Sequence, residues 1–340
     1  MGKIGFVFAG QGAQYTGMGE SLSKCSSAAA ELFKKIDSVR PETSKQCFEA
    51  DAEQLMKTDV TQPCVYAVDL ACAYALKERG IMADAVAGYS LGELAALTFA
   101  GSLTPEEGVR LVAARGAAMQ RASELQETGM MAVLKLDDDR INQLASKYDN
   151  VYPVNFNCKG QVSVAGLKDQ LAQFGQDVKE NGGLVRILEV AGGFHSPFMQ
   201  SAATELKDIF EQVSVAEAQI PVYANCTGEK YQGSYTDTML RQIVSPILWQ
   251  KSIENMIADL SGMICDGAKA GCALKLSSAA SAAVQSAVIA KQGYSVPALN
   301  GIVGTKVEES IQNLGKVSDK GMQVTDEIIL NVMNDMNKVK

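Results

Sequence analysis

The sequence predicts an α/β protein in which a core sheet of parallel strands carries a smaller unit of order βαββαβ as an insertion. Two observations carry that expectation. Apolar, β-prone runs at residues 3–9 and 83–87 each run into a glycine-containing turn followed by helical sequence, the alternation that builds a parallel sheet. Between Gly129 and Ala191 the texture changes to short alternations, with strands at 130–136, 151–156, 161–165 and 184–190 and helices at 138–147 and 170–180. That order is the ferredoxin-like split unit.

Each further element has a local reason. Residue 9 leads into Gly10-Gln11-Gly12, a turn at a strand end, and residues 63–79 have the texture of a helix. The strand at 83–87 meets Gly88-Tyr89-Ser90-Leu91-Gly92 and a helix from Glu93 to about Ala100. Thr104-Pro105-Glu106-Glu107 has threonine to cap, proline at the first helical position and glutamate at the third, so a capped helix is expected to about Ser123. Ser196-Pro197 opens another helix, and residues 221–224 form another strand. Residues 262–290 are rich in Ala, Ser and Gly, and Ile328, Ile329, Val332, Met333 and Met336 make an apolar helical stripe expected to pack as core. The expected division is a large subdomain from 1–127 and 192–340, with 128–191 inserted as the small one.

Composition narrows the classes of function. With 47% hydrophobic and 21% charged residues in 340, the chain suits one large domain, or one domain with an insertion. No apolar run reaches the 18 or so residues of a membrane span, and no signal-peptide pattern is visible, so a cytoplasmic protein is expected. Eight scattered cysteines without a C-x-x-C pair, and one histidine, argue for reduced thiols and against a structural metal. A net charge of −8 argues against broad binding to nucleic acid or anionic membranes, so a polyanionic ligand needs a local basic site.

Four residues stand out chemically. Gly88-Tyr89-Ser90-Leu91-Gly92 fits G-x-S-x-G, a strand-to-helix elbow that exposes a serine hydroxyl and leaves the next backbone N–H free for an oxyanion. Taken alone, the pattern reads equally well as a structural turn. His195 is the single histidine, so a serine working through an imidazole must use it, although a lone histidine is more often structural. Arg115 has Leu111, Val112, Ala118 and Met119 as its helical neighbours, which places a cation on an apolar face. Such a cation is either buried against a carboxylate or set to take a substrate carboxylate in two parallel hydrogen bonds. Gln11, between two glycines, reads first as a turn residue.

Taken in order, Phe8-Ala9-Gly10-Gln11-Gly12-Ala13-Gln14 with Gly17-Met18-Gly19, Thr61-Gln62-Pro63, Gly88-Tyr89-Ser90-Leu91-Gly92-Glu93, Arg115-Gly116 and Phe194-His195-Ser196 resemble the malonyl-CoA:acyl carrier protein transacylase family across roughly residues 3–255. The resemblance implies an α/β-hydrolase-like core with a ferredoxin-like small subdomain, and an acyltransferase that moves malonyl from malonyl-CoA to the phosphopantetheine thiol of an acyl carrier protein. Ser90 is implied as nucleophile, His195 as base, the N–H groups of Gln11 and Leu91 as oxyanion donors, and Arg115 as partner of the malonyl carboxylate. The carbonyl of Leu248 is implied to orient His195, with no triad carboxylate, and Phe194 to favour malonyl over methylmalonyl. No cofactor is permanently bound; the coenzyme A thioester is a substrate.

The chain departs from the family pattern at Tyr89, where histidine is usual, at Leu248, where glutamine is usual, and at Asp266-Gly267-Ala268-Lys269, where a G-P-G loop is expected. A serine thioesterase or esterase of related fold and a non-catalytic carrier-binding subunit are the alternatives. Whether the carrier serves fatty acid synthesis, a polyketide line or a malonate decarboxylase stays open.

Overall fold

A computed structural model describes residues 3–262 and 273–276. From the N-terminus, β1 (Ile4–Phe8) is followed by helices α1 (Glu20–Cys25), α2 (Ser27–Val39), α3 (Thr43–Glu49), α4 (Ala52–Met56) and α5 (Thr58–Glu78), then β2 (Ala85–Gly88), α6 (Gly92–Phe99) and α7 (Pro105–Ser123). The small unit comprises β3 (Thr128–Leu134), α8 (Asp138–Ala145), β4 (Val151–Cys158), β5 (Gln161–Leu167), α9 (Lys168–Glu180) and β6 (Leu184–Leu188). After it come a 3₁₀ turn (Pro197–Met199), α10 (Gln200–Glu211), β7 (Val222–Tyr223), α11 (Tyr235–Ile243), α12 (Trp249–Gly262) and β8 (Ala273–Leu276).

The first sheet has strand order β7-β2-β1-β8 with every pairing parallel. The second is antiparallel with order β4-β5-β3-β6, and its elements follow the expected βαββαβ sequence. The segment before α12 pairs with the edge strand β4 of the second sheet, where Ile247 N–H donates to the carbonyl of Val154 (2.7 Å) and Phe156 N–H to that of Ile247 (2.9 Å).

Local chemistry explains most boundaries. Thr104 Oγ1 accepts from Glu107 N–H at 3.1 Å while the Glu107 carboxylate accepts from Thr104 N–H at 2.9 Å, the capping box expected for α7. Ser196 caps its turn through Phe198 N–H at 3.3 Å. Helix α5 corrects one expectation: it begins at Thr58, five residues before Pro63, which lies inside it. Proline there cannot bond the carbonyl of Asp59, and the Arg40 guanidinium reaches that carbonyl at 3.4 Å instead. Gly267, the apolar stripe at 328–336, Cys265 and Cys272 lie outside the described residues.

Candidate active site

Strand β2 is buried throughout and delivers Ser90 at its carboxyl end. The turn is tight enough that a Cβ on Gly88 would sit 1.9 Å from the carbonyl oxygen of Gly92, and one on Gly92 would sit 2.3 Å from that of Ala9. Ser90 itself has φ +54, a left-handed conformation costing about 1–2 kcal/mol for a residue with a Cβ. The elbow geometry expected from G-x-S-x-G is present.

The two halves of the chain then converge. Ser90 Oγ lies 2.8 Å from His195 Nε2, across 105 residues of sequence. The other ring nitrogen, Nδ1, lies 3.0 Å from the carbonyl oxygen of Gln242. A carbonyl can only accept, so Nδ1 carries the proton and Nε2 presents a lone pair to the serine hydroxyl. Burial, with the Arg115 charge adding to it, pushes the His195 pKa down to about 3, against a smaller upward pull from the Gln242 carbonyl. The imidazole is therefore a neutral acceptor around pH 7.

The histidine-orienting carbonyl thus belongs to Gln242 and not to Leu248. The reason is helix geometry. Leu248 immediately precedes α12, and its carbonyl takes the first helical bond, from Ser252 N–H at 2.9 Å. Gln242 sits in the last turn of α11, where the residue four on, Pro246, has no N–H to give; its carbonyl takes Val244 N–H and, at 3.4 Å, Ser245 N–H, and lies at the negative end of the helix dipole.

Arg115 is buried in the middle of α7 and reaches Ser90 directly, with Nη2 donating to Ser90 Oγ at 3.0 Å and to Gln242 Oε1 at 3.0 Å. Nη1 donates to Gln62 Oε1 at 2.8 Å, and Nε has no partner. Among the described residues no carboxylate comes within 4.0 Å of this guanidinium, so the buried ion pair considered from sequence is not formed. Burial lowers its pKa to about 10 while Glu93 pulls the other way, and it remains a cation. A buried, charged fork held only by neutral oxygens is a site for an anionic group.

The loop after β1 packs against the elbow: Tyr89 N–H donates to the carbonyl of Phe8 at 2.9 Å, and a Cβ on Gly10 would meet the Tyr89 carbonyl oxygen at 2.7 Å. This holds the residues just before Gln11 against the elbow. Gln11 Nε2 is tethered to Thr58 Oγ1 at 3.5 Å. Phe194 is buried next to His195, which has φ +60. Among the described residues there is no cluster of three or more His, Cys, Asp or Glu able to hold a metal.

Three residues of the site were not assigned from sequence. Gln62 stood in the quoted Thr61-Gln62-Pro63 motif without a role, and the earlier start of α5 places it on Arg115. Gln242 is a buried polar residue between Met239 and Ile243 on the apolar face of α11, the same signal that singled out Arg115. Asn225 follows β7 at the carboxyl edge of the parallel sheet, and its Oδ1 accepts from Ser90 N–H at 2.7 Å.

Comparison with known proteins decides the family. The acyl transferase domain model matches residues 5–261. This chain belongs to the acyl transferase domain family. The malonyl CoA-acyl carrier protein transacylase of Bacillus subtilis (strain 168) is 35% identical to this acyltransferase over 267 residues, covering 76% of it and 84% of the relative. The crystal structure of a malonyl CoA-acyl carrier protein transacylase from Clostridium perfringens is similar with a TM-score of 0.75 at 30% identity, covering 88% of this chain and 100% of that one. A malonyl-transacylase solved in complex with its type II PKS acyl carrier protein is similar with a TM-score of 0.73 at 29% identity, over 76% of this chain and 86% of that one.

A second model, serine dehydratase alpha chain, matches residues 245–331 of the acyltransferase. A UPF0597 protein of Clostridioides difficile (strain 630) is 85% identical over 88 residues. The match spans 26% of this chain and about a fifth of that relative, 21%.

Proposed function

We propose that this acyltransferase moves malonyl from malonyl-CoA to the phosphopantetheine thiol of an acyl carrier protein through a malonyl-serine intermediate. The observation that carries the reading is the Arg115 guanidinium, buried without a carboxylate partner and 3.0 Å from the serine oxygen that would become acylated. It supplies a fork for a short dicarboxylic acyl group.

The Ser90 proton passes to His195 Nε2 as Oγ attacks the thioester carbonyl. The resulting oxyanion is taken by the N–H groups of Gln11 and Leu91, neither of which donates a hydrogen bond to another described residue. The Gln242 carbonyl, at a helix C-terminus, stabilises the imidazolium while it exists. Collapse expels the coenzyme A thiolate, which takes the proton from His195. In the second half-reaction the carrier thiol gives its proton to the same nitrogen, its sulfur attacks the acyl-serine carbonyl, and the serine oxygen leaves with that proton. As Oγ becomes an ester oxygen, Arg115 turns its fork to the malonyl carboxylate. The bulky Phe194 beside His195 crowds a 2-methyl substituent, worth about 1–3 kcal/mol of discrimination.

The same reading takes the parallel sheet as an α/β-hydrolase-like core, with 128–191 as a ferredoxin-like subdomain, in a cytoplasmic enzyme without a bound cofactor. No described helix is long and apolar enough to cross a membrane.

The experiment is to mix the protein with malonyl-CoA, with and without a phosphopantetheinylated carrier protein, and follow free coenzyme A, malonate and malonyl-carrier. One equivalent of coenzyme A released without carrier, and turnover only with it, is expected. Sustained malonate release without carrier would mean a thioesterase, and no reaction in either arm would mean a non-catalytic subunit.

A further inference from the structure

Beneath the elbow lies a buried polar cluster that performs no step of the reaction just described. Strand β2 ends at Gly88, and the chain must turn through Tyr89 and Ser90 before α6 begins. Two backbone groups of the turn, the Gly88 carbonyl and the Ser90 N–H, need partners away from water. Both find them on one side chain. Asn225 Oδ1 accepts from Ser90 N–H at 2.7 Å, and Asn225 Nδ2 donates to the Gly88 carbonyl at 2.6 Å. A primary amide is suited to this because it offers an acceptor and donors on one planar group.

Asn225 is itself fixed on every side. It is fully buried, its N–H donates to Glu93 Oε2 at 2.6 Å, and its carbonyl accepts from Leu248 N–H at 2.8 Å. Glu93 belongs to the first turn of α6, directly after the elbow, and its other oxygen accepts from Tyr231 Oη at 2.5 Å. The contacts close a loop from the elbow through α6 and the segment after β7 back to the elbow.

We propose that Asn225 is a positioning residue that holds Ser90 in its left-handed conformation and aims Oγ between His195 and Arg115, with Glu93 fixing the backbone of Asn225. The proposal rests on Ser90 being the nucleophile of the proposed function. Asn225 makes no hydrogen bond to Ser90 Oγ, His195 or Arg115, so its removal leaves the base and the carboxylate fork in place and loosens only the backbone that presents the serine. The effect therefore falls on the rate of acylation and not on capture of the substrate, since small misplacement of a reacting group costs about 10- to 100-fold.

The test compares wild type, Asn225→Ala and Asn225→Asp in full-length protein. Single-turnover acylation by malonyl-CoA is measured beside inactivation by phenylmethanesulfonyl fluoride, which reacts at an activated serine and has no carboxylate for Arg115. Thermal melting checks the fold. The expected result is a loss of about 10- to 100-fold in the maximal acylation rate of Asn225→Ala, with the half-saturating malonyl-CoA concentration within about twofold of wild type. A parallel loss is expected with the sulfonyl fluoride. Asn225→Asp keeps an acceptor for Ser90 N–H but lacks the donor to Gly88, and should fall between the two.

Rates within about twofold of wild type for folded Asn225→Ala, or a change confined to half-saturation, would overturn the proposal. So would failure of both variants to fold, which would assign Asn225 to stability alone. If wild type reacts with the sulfonyl fluoride but not with malonyl-CoA, the transfer reading fails while the sulfonyl fluoride arm still decides the role of Asn225.

Discussion

Strand β2 of the parallel sheet is buried at all four of its positions and ends in a turn crowded with polar atoms, whereas β6 of the antiparallel sheet exposes three of its five residues and borders no such site. The antiparallel sheet solves an ordinary problem by covering one face with α8 and α9 around Val133, Ile141, Leu144, Val162 and Phe174. The parallel sheet buries an arginine, a histidine, a glutamate and an asparagine around one serine, and holds them through that serine and through Gln62, Gln242 and Tyr231, leaving Arg115 Nε without a partner. Backbone crowding is tightest at the elbow, although in the small sheet a Cβ on Gly166 of β5 would also sit 2.8 Å from the Asn150 carbonyl oxygen. Substitutions should therefore be costly and specific at the elbow, and mild at the open positions of the small sheet.

The largest effect is expected from His195→Ala, which should slow both half-reactions by about 10²–10⁴-fold, the range typical of a lost general base. Single-turnover rates for acylation from malonyl-CoA and for transfer to the carrier check it. Because the native imidazole titrates far below its ordinary value, the wild-type acylation rate should show no acid limb near pH 6.5; it should fall only well below pH 5.

Gly88→Ala comes next. Its new Cβ meets backbone and not a movable side chain, so a destabilisation beyond about 3 kcal/mol, or no folded protein, is expected in urea denaturation.

Arg115→Ala should lower the malonyl-to-acetyl preference by at least about tenfold, since charge-assisted hydrogen bonds are worth about 1.5–3 kcal/mol. Arg115→Lys should restore it only partly, because an ammonium lacks the planar fork. An unaltered preference in folded Arg115→Ala would make the arginine a structural cation only.

Glu93→Gln should change the pH dependence of stability in a defined direction. Burial raises Glu93 to about 7, so the native state holds a proton that the unfolded chain releases above the ordinary carboxylate range, and this contribution weakens as pH rises towards 7. His195 has the opposite sign: depressed to about 3, it resists a proton that the unfolded chain takes up below about 6.5, so its contribution is lost as pH falls. The two offset each other between about pH 4.5 and 6.5. Removing Glu93 should leave the variant losing more stability than wild type between pH 7 and pH 5, read by denaturation at the two values.

The smallest effect is expected in the other sheet. At Gly129 in β3 a Cβ would meet only Leu171 and Lys168 carbons at 3.8 and 3.9 Å, ordinary contact, so Gly129→Ala should shift stability by less than about 1 kcal/mol. A collapse like that of Gly88→Ala would erase the contrast between the sheets.

How much of this was legible in the sequence follows from how local each signal is. The capping box at Thr104, the two glycines flanking the elbow and the alternations of the small unit are set by residues a few positions apart, and their elements formed as expected within a few residues. Arg115 was legible because an unpaired cation on an apolar helix face is costly wherever the helix packs. Gln242 was missed, and Leu248 taken in its place, because a carbonyl is present at every residue and only the ends of α11 and α12 decide which one faces the imidazole. The helix expected over 63–79 starts earlier, at Thr58, because Pro63 is accommodated inside it: the Asp59 carbonyl that Pro63 cannot bond takes Arg40, which caps the end of α2. Asn225 and Glu93 act across 132 residues, and nothing near either of them in the chain marks the pairing.

The groups buried around β2 are expected to serve one oxygen atom, which is checked by mixing the protein with malonyl-CoA, quenching, and mapping the acyl group by peptide mass spectrometry. Malonyl on the peptide containing Ser90, lost in Ser90→Ala and discharged by holo carrier protein, is the expected result. Malonyl found reproducibly on another residue, or on none while coenzyme A is still released, would contradict it.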